Sequence, residues 1–358
     1  PIAITSCARK PGTGFPGYAF VANRTGHAVA VVDLNAFAVA RHVRLDAAPT
    51  QVAAPLRRAA VYALTPETGM VHEIRTDTLA VARTARPAGR ASGMQLSPDE
   101  SALWVLAPES KKLVRLGLAN LDVQAQILLP ATPTTFHVAA NGKTAAVGFG
   151  AAGLALIDLE QRRCGDVMSS GGAIGQVRFQ FNSRTLIAAN LDQRLLSLYD
   201  APSGQLIVHL PLAVRPDRLC FNSDGGQLFI TGEGSDGVVV VYPYRAEVSG
   251  TVLAGRAPGE MAASGDPQYL FVASPKSGDV SILNIDTLRV IAAVSVGTEP
   301  CYITITPDDQ FALVLNKTSG DMAVLRVGAI TAKRNKSAPL FTMIPVGSEP
   351  VSAVVRAV

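Results

Sequence analysis

The stretch LFVASPKSGDVSILNIDTLRVIAAVSVGTEPCYITITPDD, residues 270–309, alternates apolar and polar residues in four short runs. Period-two alternation puts successive side chains on opposite faces of an extended strand. The runs are LFVAS, DVSILNI, RVIAAVSV and CYITIT, divided by SPKSG, DTL and GTEP and followed by PDD. Gly, Pro, Asp and Ser are the residues that tight turns demand. Four short strands joined by such turns form an antiparallel sheet. No segment of the chain shows a helical 3.6-residue stripe of useful length.

The same sheet returns throughout. Its first run has counterparts in AFVAN at 19, VYALT at 61, LWVLA at 103, AAVGF at 145, LIAAN at 186, LFITG at 228 and ALVLN at 312. Every step is 42 residues except one of 41. Four antiparallel strands per repeat of about 42 residues describe a β-propeller blade. Eight copies predict an all-β chain folded as a single eight-bladed β-propeller; seven blades is the alternative, with one module displaced. The first copy starts with what would be a blade's second strand. PVSAVVRA, residues 350–357, has the character of an innermost strand with no outer strands after it. This terminal strand is expected to pair with residues 19–23 and close the ring, leaving no open end. Residues 1–18 read as an N-terminal tether and 19–358 as the propeller.

LFVAS, GDVSILNIDT, VGTEP and ITITPDD, with ALVLNKTSGDMAVL and VGSEP in the last module, resemble the YVTN-type propeller repeats of bacterial and archaeal surface proteins. The likeness is sharp in modules seven and eight and weaker in three to five. Module four departs most: GGAIG stands where VGTEP would, and Ile174 replaces the proline.

Composition narrows the function classes. The chain has 358 residues, 48% hydrophobic and 17% charged, yet its apolar runs are short. TAAVGFGAAGLALI, residues 144–157, is broken by glycines and falls short of the roughly 20 residues a membrane helix needs. A net charge of +4 comes from scattered Lys and Arg without a basic run longer than two or aromatics interleaved with one, so nucleic acid is not an expected partner. Cys7, Cys164, Cys220 and Cys301 match no metal knuckle or redox pair. PIAITSC at the start resembles the end of a bacterial lipoprotein signal. Cys7 is then the expected lipidation site, the protein is exported to the periplasm or cell surface, and its only membrane contact is the lipid.

In a propeller the innermost strands surround a central channel. One ring of expected channel residues is Gln51, Gly93, Thr135, Gln176, Arg218, Glu260, Tyr302 and Ser352; the next includes Gln95, His137, Arg178 and Cys220. Val52, Met94, Phe136, Val177, Leu219, Met261, Ile303 and Ala353 alternate with the first ring and should pack between sheets. The candidate binding residues at the channel mouth are Gln51, Gln176, Arg178, Arg218, Glu260, Tyr302 and His137, which suit a small anionic ligand or a partner's side chain. Arg218 and Glu260 occupy the same position in adjacent blades, so a salt bridge between them is an equally natural outcome. The loops on the same face hold Lys111, Lys112, Arg194, Lys276 and Lys317 and form the expected docking surface for a protein partner. An insertion in the last module, residues 328–339, adds Lys333, Arg334 and Lys336 as a second docking point.

No zincin, nucleophile-elbow, Walker or EF-hand sequence is present. No metal or cofactor is expected, and the five histidines are spread over four modules, with His27 and His42 sharing the first. The sequence therefore favours a non-enzymatic scaffold or accessory subunit of a cell-envelope complex. The alternative is an enzyme centred on the channel mouth, either haem d1-like with His27 or His137 as axial ligand, or lactonase-like. Quinoprotein dehydrogenases dock their blades with recurrent tryptophans, and Trp104 is the only one here.

Overall fold

Strands form wherever the alternation runs. Tyr269–Ser274, Asp279–Asn284 and Arg289–Ser295 pair antiparallel in sequence order, and Met261–Ala263 lines the inner edge of the first. This unit recurs in the computed structural model, which describes residues 14–330 and 338–357, as eight four-stranded antiparallel sheets. The chain is an eight-bladed β-propeller. Blade 1 contains Gly17–Asn23, and the innermost strands of blades 2 to 8 are Gln51–Ala53, Gly93–Leu96, Thr135–Val138, Ile174–Phe179, Arg215–Phe221, Met261–Ala263 and Pro300–Ile305.

Ring closure follows the expected route. Pro350–Ala357 pairs antiparallel with Gly17–Asn23, with Phe20 opposite Val354, and supplies the innermost strand of blade 1. Blade 1 thus joins both ends of the described chain. The propeller also starts slightly earlier than residue 19: the strand begins at Gly17, and Phe15 is already buried in the core shared by blades 8 and 1.

The core is divided among the blade interfaces. Eight hydrophobic clusters fill the eight gaps between neighbouring sheets, so each sheet buries both faces. Phe20, Tyr62, Phe229 and Phe271 stand at one repeat position and are fully buried. Each such ring contributes about 1.5–3 kcal/mol relative to an exposed one.

Turn chemistry fixes the two faces. On the face where innermost strands end, Asp99, Asp224 and Asp308 accept backbone N–H bonds from residues two further on, tightening the turns as expected. In the outer hairpins a left-handed residue recurs at Phe37, Leu79, Leu121, Arg162, Ala246 and Leu288, before a register shift in most of the blades. This is a three-residue turn closed by a bulge, which adds twist to each blade.

Module four departs in structure as in sequence. Ile174 is buried where proline recurs, and it fits because a Cβ on Gly148 would lie 2.9 Å from its side chain. The innermost strand of blade 5 shifts register between Ile174 and Val177, as those of blades 6 and 8 do at the equivalent place, so the bulge itself survives the loss of the proline. The outermost strand of blade 4 shrinks to Arg163–Cys164.

Candidate functional site

A blade stands edge-on to the channel, so its innermost strand turns a free backbone edge inward and its side chains leave sideways toward the neighbouring blades. The polar ring residues of several blades lie against that neighbour. Gln51 of blade 2 donates through Nε2 to the Met94 carbonyl at 2.8 Å and accepts the Met94 N–H on Oε1 at 2.8 Å. Gln95 of blade 3 repeats the contact with Val138 of blade 4, at 3.2 and 2.9 Å. His137 of blade 4 accepts the Phe179 N–H of blade 5 on Nδ1 at 3.2 Å. Ser352 of blade 1 accepts from Val52 N–H of blade 2 at 3.4 Å. These side chains cap backbone groups that no further strand pairs, a role that alternation alone does not reveal.

The second half of the ring holds charge. Arg218 of blade 6 donates through Nε to Glu260 of blade 7 at 3.0 Å, the salt bridge anticipated from their adjacent positions, and its Nη1 meets Asp217 at 3.1 Å. Burial pushes the Glu260 carboxyl above its ordinary value, although Arg218 and Arg178 act in the opposite direction. Burial and Glu260 raise the pKa of Tyr302, while Ser352 near its hydroxyl acts in the opposite direction. Burial also pushes the Cys220 thiol up to about 12, so it is no nucleophile.

Arg178 and Gln176 are placed differently. Among the described residues none lies within hydrogen-bond or ion-pair reach of the Arg178 guanidinium. Burial in the channel pulls its pKa below the ordinary value, against the pull of Glu260. Gln176 has Oε1 buried without a partner. Both line a cavity of about 310 Å³ together with Gln51, Gly93, Thr135 and Phe136. Ser92 and Thr134, which lead into innermost strands, also line it, so the cavity sits at the channel mouth on the loop face. Phe136 packs against the core between blades 3 and 4 as expected, but it is only half-buried and also forms part of this wall.

Of the seven candidate residues, then, Gln51, His137, Arg218 and Glu260 have partners within the ring, and Ser352 lies near the Tyr302 hydroxyl. Arg178 and Gln176 remain open to a ligand, and Gln51 and Gln176 share the cavity with Arg178. Cys7 and the basic residues Lys333, Arg334 and Lys336 lie outside the described residues.

Two histidine–hydroxyl pairs were not apparent in the sequence. His72 Nε2 meets both Asp46 Oδ1 at 2.9 Å and Thr65 Oγ1 at 3.2 Å. A catalytic relay needs the carboxylate on the other ring nitrogen. Ser197 meets His209 Nδ1 at 2.9 Å. Thr65 and Ser197 are fully buried, so both pairs are internal structure. No group of three or more His, Cys, Asp or Glu among the described residues is arranged to hold a metal ion.

No family model matches the chain, and no curated protein matches it at a significant level. Solved structures are similar to it. The dihydro-haem d1 dehydrogenase NirN in complex with DHE superposes with a TM-score of 0.79 at 13% identity, covering 98% of this chain and 78% of that one. Apo AztD from Citrobacter koseri gives 0.69 at 14% identity over 94% and 98% of the two chains. Hydrazine synthase from Kuenenia stuttgartiensis gives 0.59 at 17% identity over 78% and 95%. At these identities the likeness establishes the propeller fold and leaves function to the site itself.

Proposed function

We propose that this chain is an exported binding propeller without a catalytic centre, serving as a scaffold or accessory subunit in the cell envelope. Its working region is the channel mouth and the surrounding loop face. One observation carries the reading: at a mouth where Gln51, His137, Arg218 and Glu260 have partners within the ring, Arg178 has none among the described residues and faces a cavity. An unpartnered cation on a rigid frame is an attachment point. Export rests on the lipoprotein-like PIAITSC and on the resemblance to surface-protein repeats.

The similarity to a propeller in complex with DHE raises a tetrapyrrole reading, and the residues here do not fit it. His137 accepts the Phe179 N–H on Nδ1, so its proton sits on Nε2 and no nitrogen is free for iron. His27 lies in an exposed loop of blade 1, whereas the cavity is walled by blades 2 to 5. The lactonase-like arrangement lacks a free base, because Glu260 is paired with Arg218.

The test is a native pull-down from the source membrane fraction, followed by intact mass spectrometry of the bait and its companions. The expected result is a stoichiometric protein partner, lost when Lys276 and Lys317 on the loop face are changed to Glu. A propeller recovered alone, with no partner under any mild condition, would overturn the scaffold reading.

A further inference from the structure

The cavity beside Arg178 has a shape, a charge and a lining that specify a ligand class. Its walls combine a guanidinium, the amides of Gln51 and Gln176, the Phe136 ring and the bare backbone of Gly93. Gly93 has ordinary strand geometry, and a Cβ there would sit 3.8 Å from Gln51 Oε1 and 3.8 Å from Phe136 Cε1. The space is therefore kept open by the missing side chain, and a Cβ there would make only ordinary contacts. At about 310 Å³ the cavity equals the volume of roughly ten waters and lies at the low end for small-ligand sites.

Charge decides the valence. Arg218 and Glu260 neutralise each other at 3.0 Å, and the second carboxylate on Arg218, Asp217 at 3.1 Å, is largely exposed and screened by water. Arg178 is left as the positive charge that faces the cavity. A dianion would leave one negative charge uncompensated in a partly desolvated channel, where it is costly. A monoanion leaves none. The guanidinium is planar and its paired N–H donors match a carboxylate in bidentate fashion. Gln176 lies two residues away on the same strand face. Its Nε2, unlike the buried Oε1, is reached by solvent and can donate to the same oxygens.

We infer that the channel mouth is a carboxylate site: a small monocarboxylic acid binds with its carboxylate on Arg178 and Gln176 and its apolar body against Phe136 and Gly93. This inference rests on the binding-propeller reading and specifies its ligand. The carboxylate belongs to a free acid or to an acidic side chain of the docked partner.

Calorimetric titration of the whole chain at neutral pH with propionate, with sulfate and with a short capped peptide holding one Asp separates these cases. Propionate is expected to bind more tightly than sulfate, and Arg178→Gln to weaken it at least tenfold. Gly93→Val, which fills the cavity and retains Arg178, is expected to weaken propionate similarly; circular dichroism checks that both variants are folded. A peptide that binds more tightly than propionate, with the same dependence on Arg178, keeps the carboxylate site and names the partner as its source. Sulfate binding as tightly as propionate, affinity unchanged in Arg178→Gln, or no binding of any probe would overturn the inference. A partner captured in the pull-down despite such a result would leave the scaffold reading standing.

Discussion

Gln51 shows how one side chain can serve structure at a place that reads as a site. Its amide replaces, for Met94, the strand that would have continued the sheet into the channel. Gln51→Leu keeps the volume but leaves an N–H and a C=O of Met94 without partners. The expected cost is about 1–3 kcal/mol, measurable as a lower urea midpoint with unchanged slope. His137 makes the equivalent contact with pH sensitivity. Burial lowers its pKa from 6.5 to about 3, with Arg178 adding to the shift. Between those values the unfolded chain binds the proton and the native chain does not. Stability is thus complete above pH 6.5 and declines as the pH falls toward 3, by up to about 1.4 kcal/mol per pH unit. His137→Gln should have a shallower decline between pH 6.5 and 4.5 than the parent in paired urea titrations; equal slopes would remove His137 from this role.

At the scale of the element, neighbouring blades are held at both ends. At the mouth the contacts run forward, from Gln51 and Gln95 to the next blade. On the opposite face they run backward: Glu100 of blade 3 accepts the N–H groups of Leu56 and Arg57 in blade 2, and Asp309 of blade 8 accepts those of Gly265 and Asp266 in blade 7. The outer hairpins hold local strain instead. Arg162 has φ +57° in an exposed turn. A side chain in that region costs about 1 kcal/mol that glycine avoids. Arg162→Gly is therefore expected to raise stability by about 0.5–1 kcal/mol despite glycine's greater chain entropy. A fall in the thermal midpoint would contradict this.

At the scale of the whole molecule, closure makes the eight interfaces interdependent. Pro350–Ala357 covers Gly17–Asn23 and belongs to the cluster that joins blades 8 and 1 through Ala353. Deleting residues 350–358 would expose a long apolar strand edge at the axis, the kind of edge that pairs between molecules. The truncated chain is expected to elute as aggregate in size-exclusion chromatography, while the parent elutes as a defined species. A monodisperse truncated chain would show that closure is dispensable.

The sequence by itself determined the number of blades, the strands in each and the closing strand, because a 42-residue period and period-two alternation are local signals repeated eight times. It also indicated the Arg218–Glu260 pair, since equivalent positions in adjacent blades are neighbours. It did not distinguish Arg178 from His137, or Gln176 from Gln51: these are polar residues on the same columns. Only the tertiary structure showed that His137 and Gln51 spend their hydrogen bonds on the next blade's backbone while Arg178 faces a cavity. The reason is geometric. A strand's pattern tells which face a side chain leaves from, whereas its partner depends on the spacing and tilt of the adjoining sheet. The bare Gly93 beside Phe136, which leaves the space open, acquires meaning only once the blades stand in a ring.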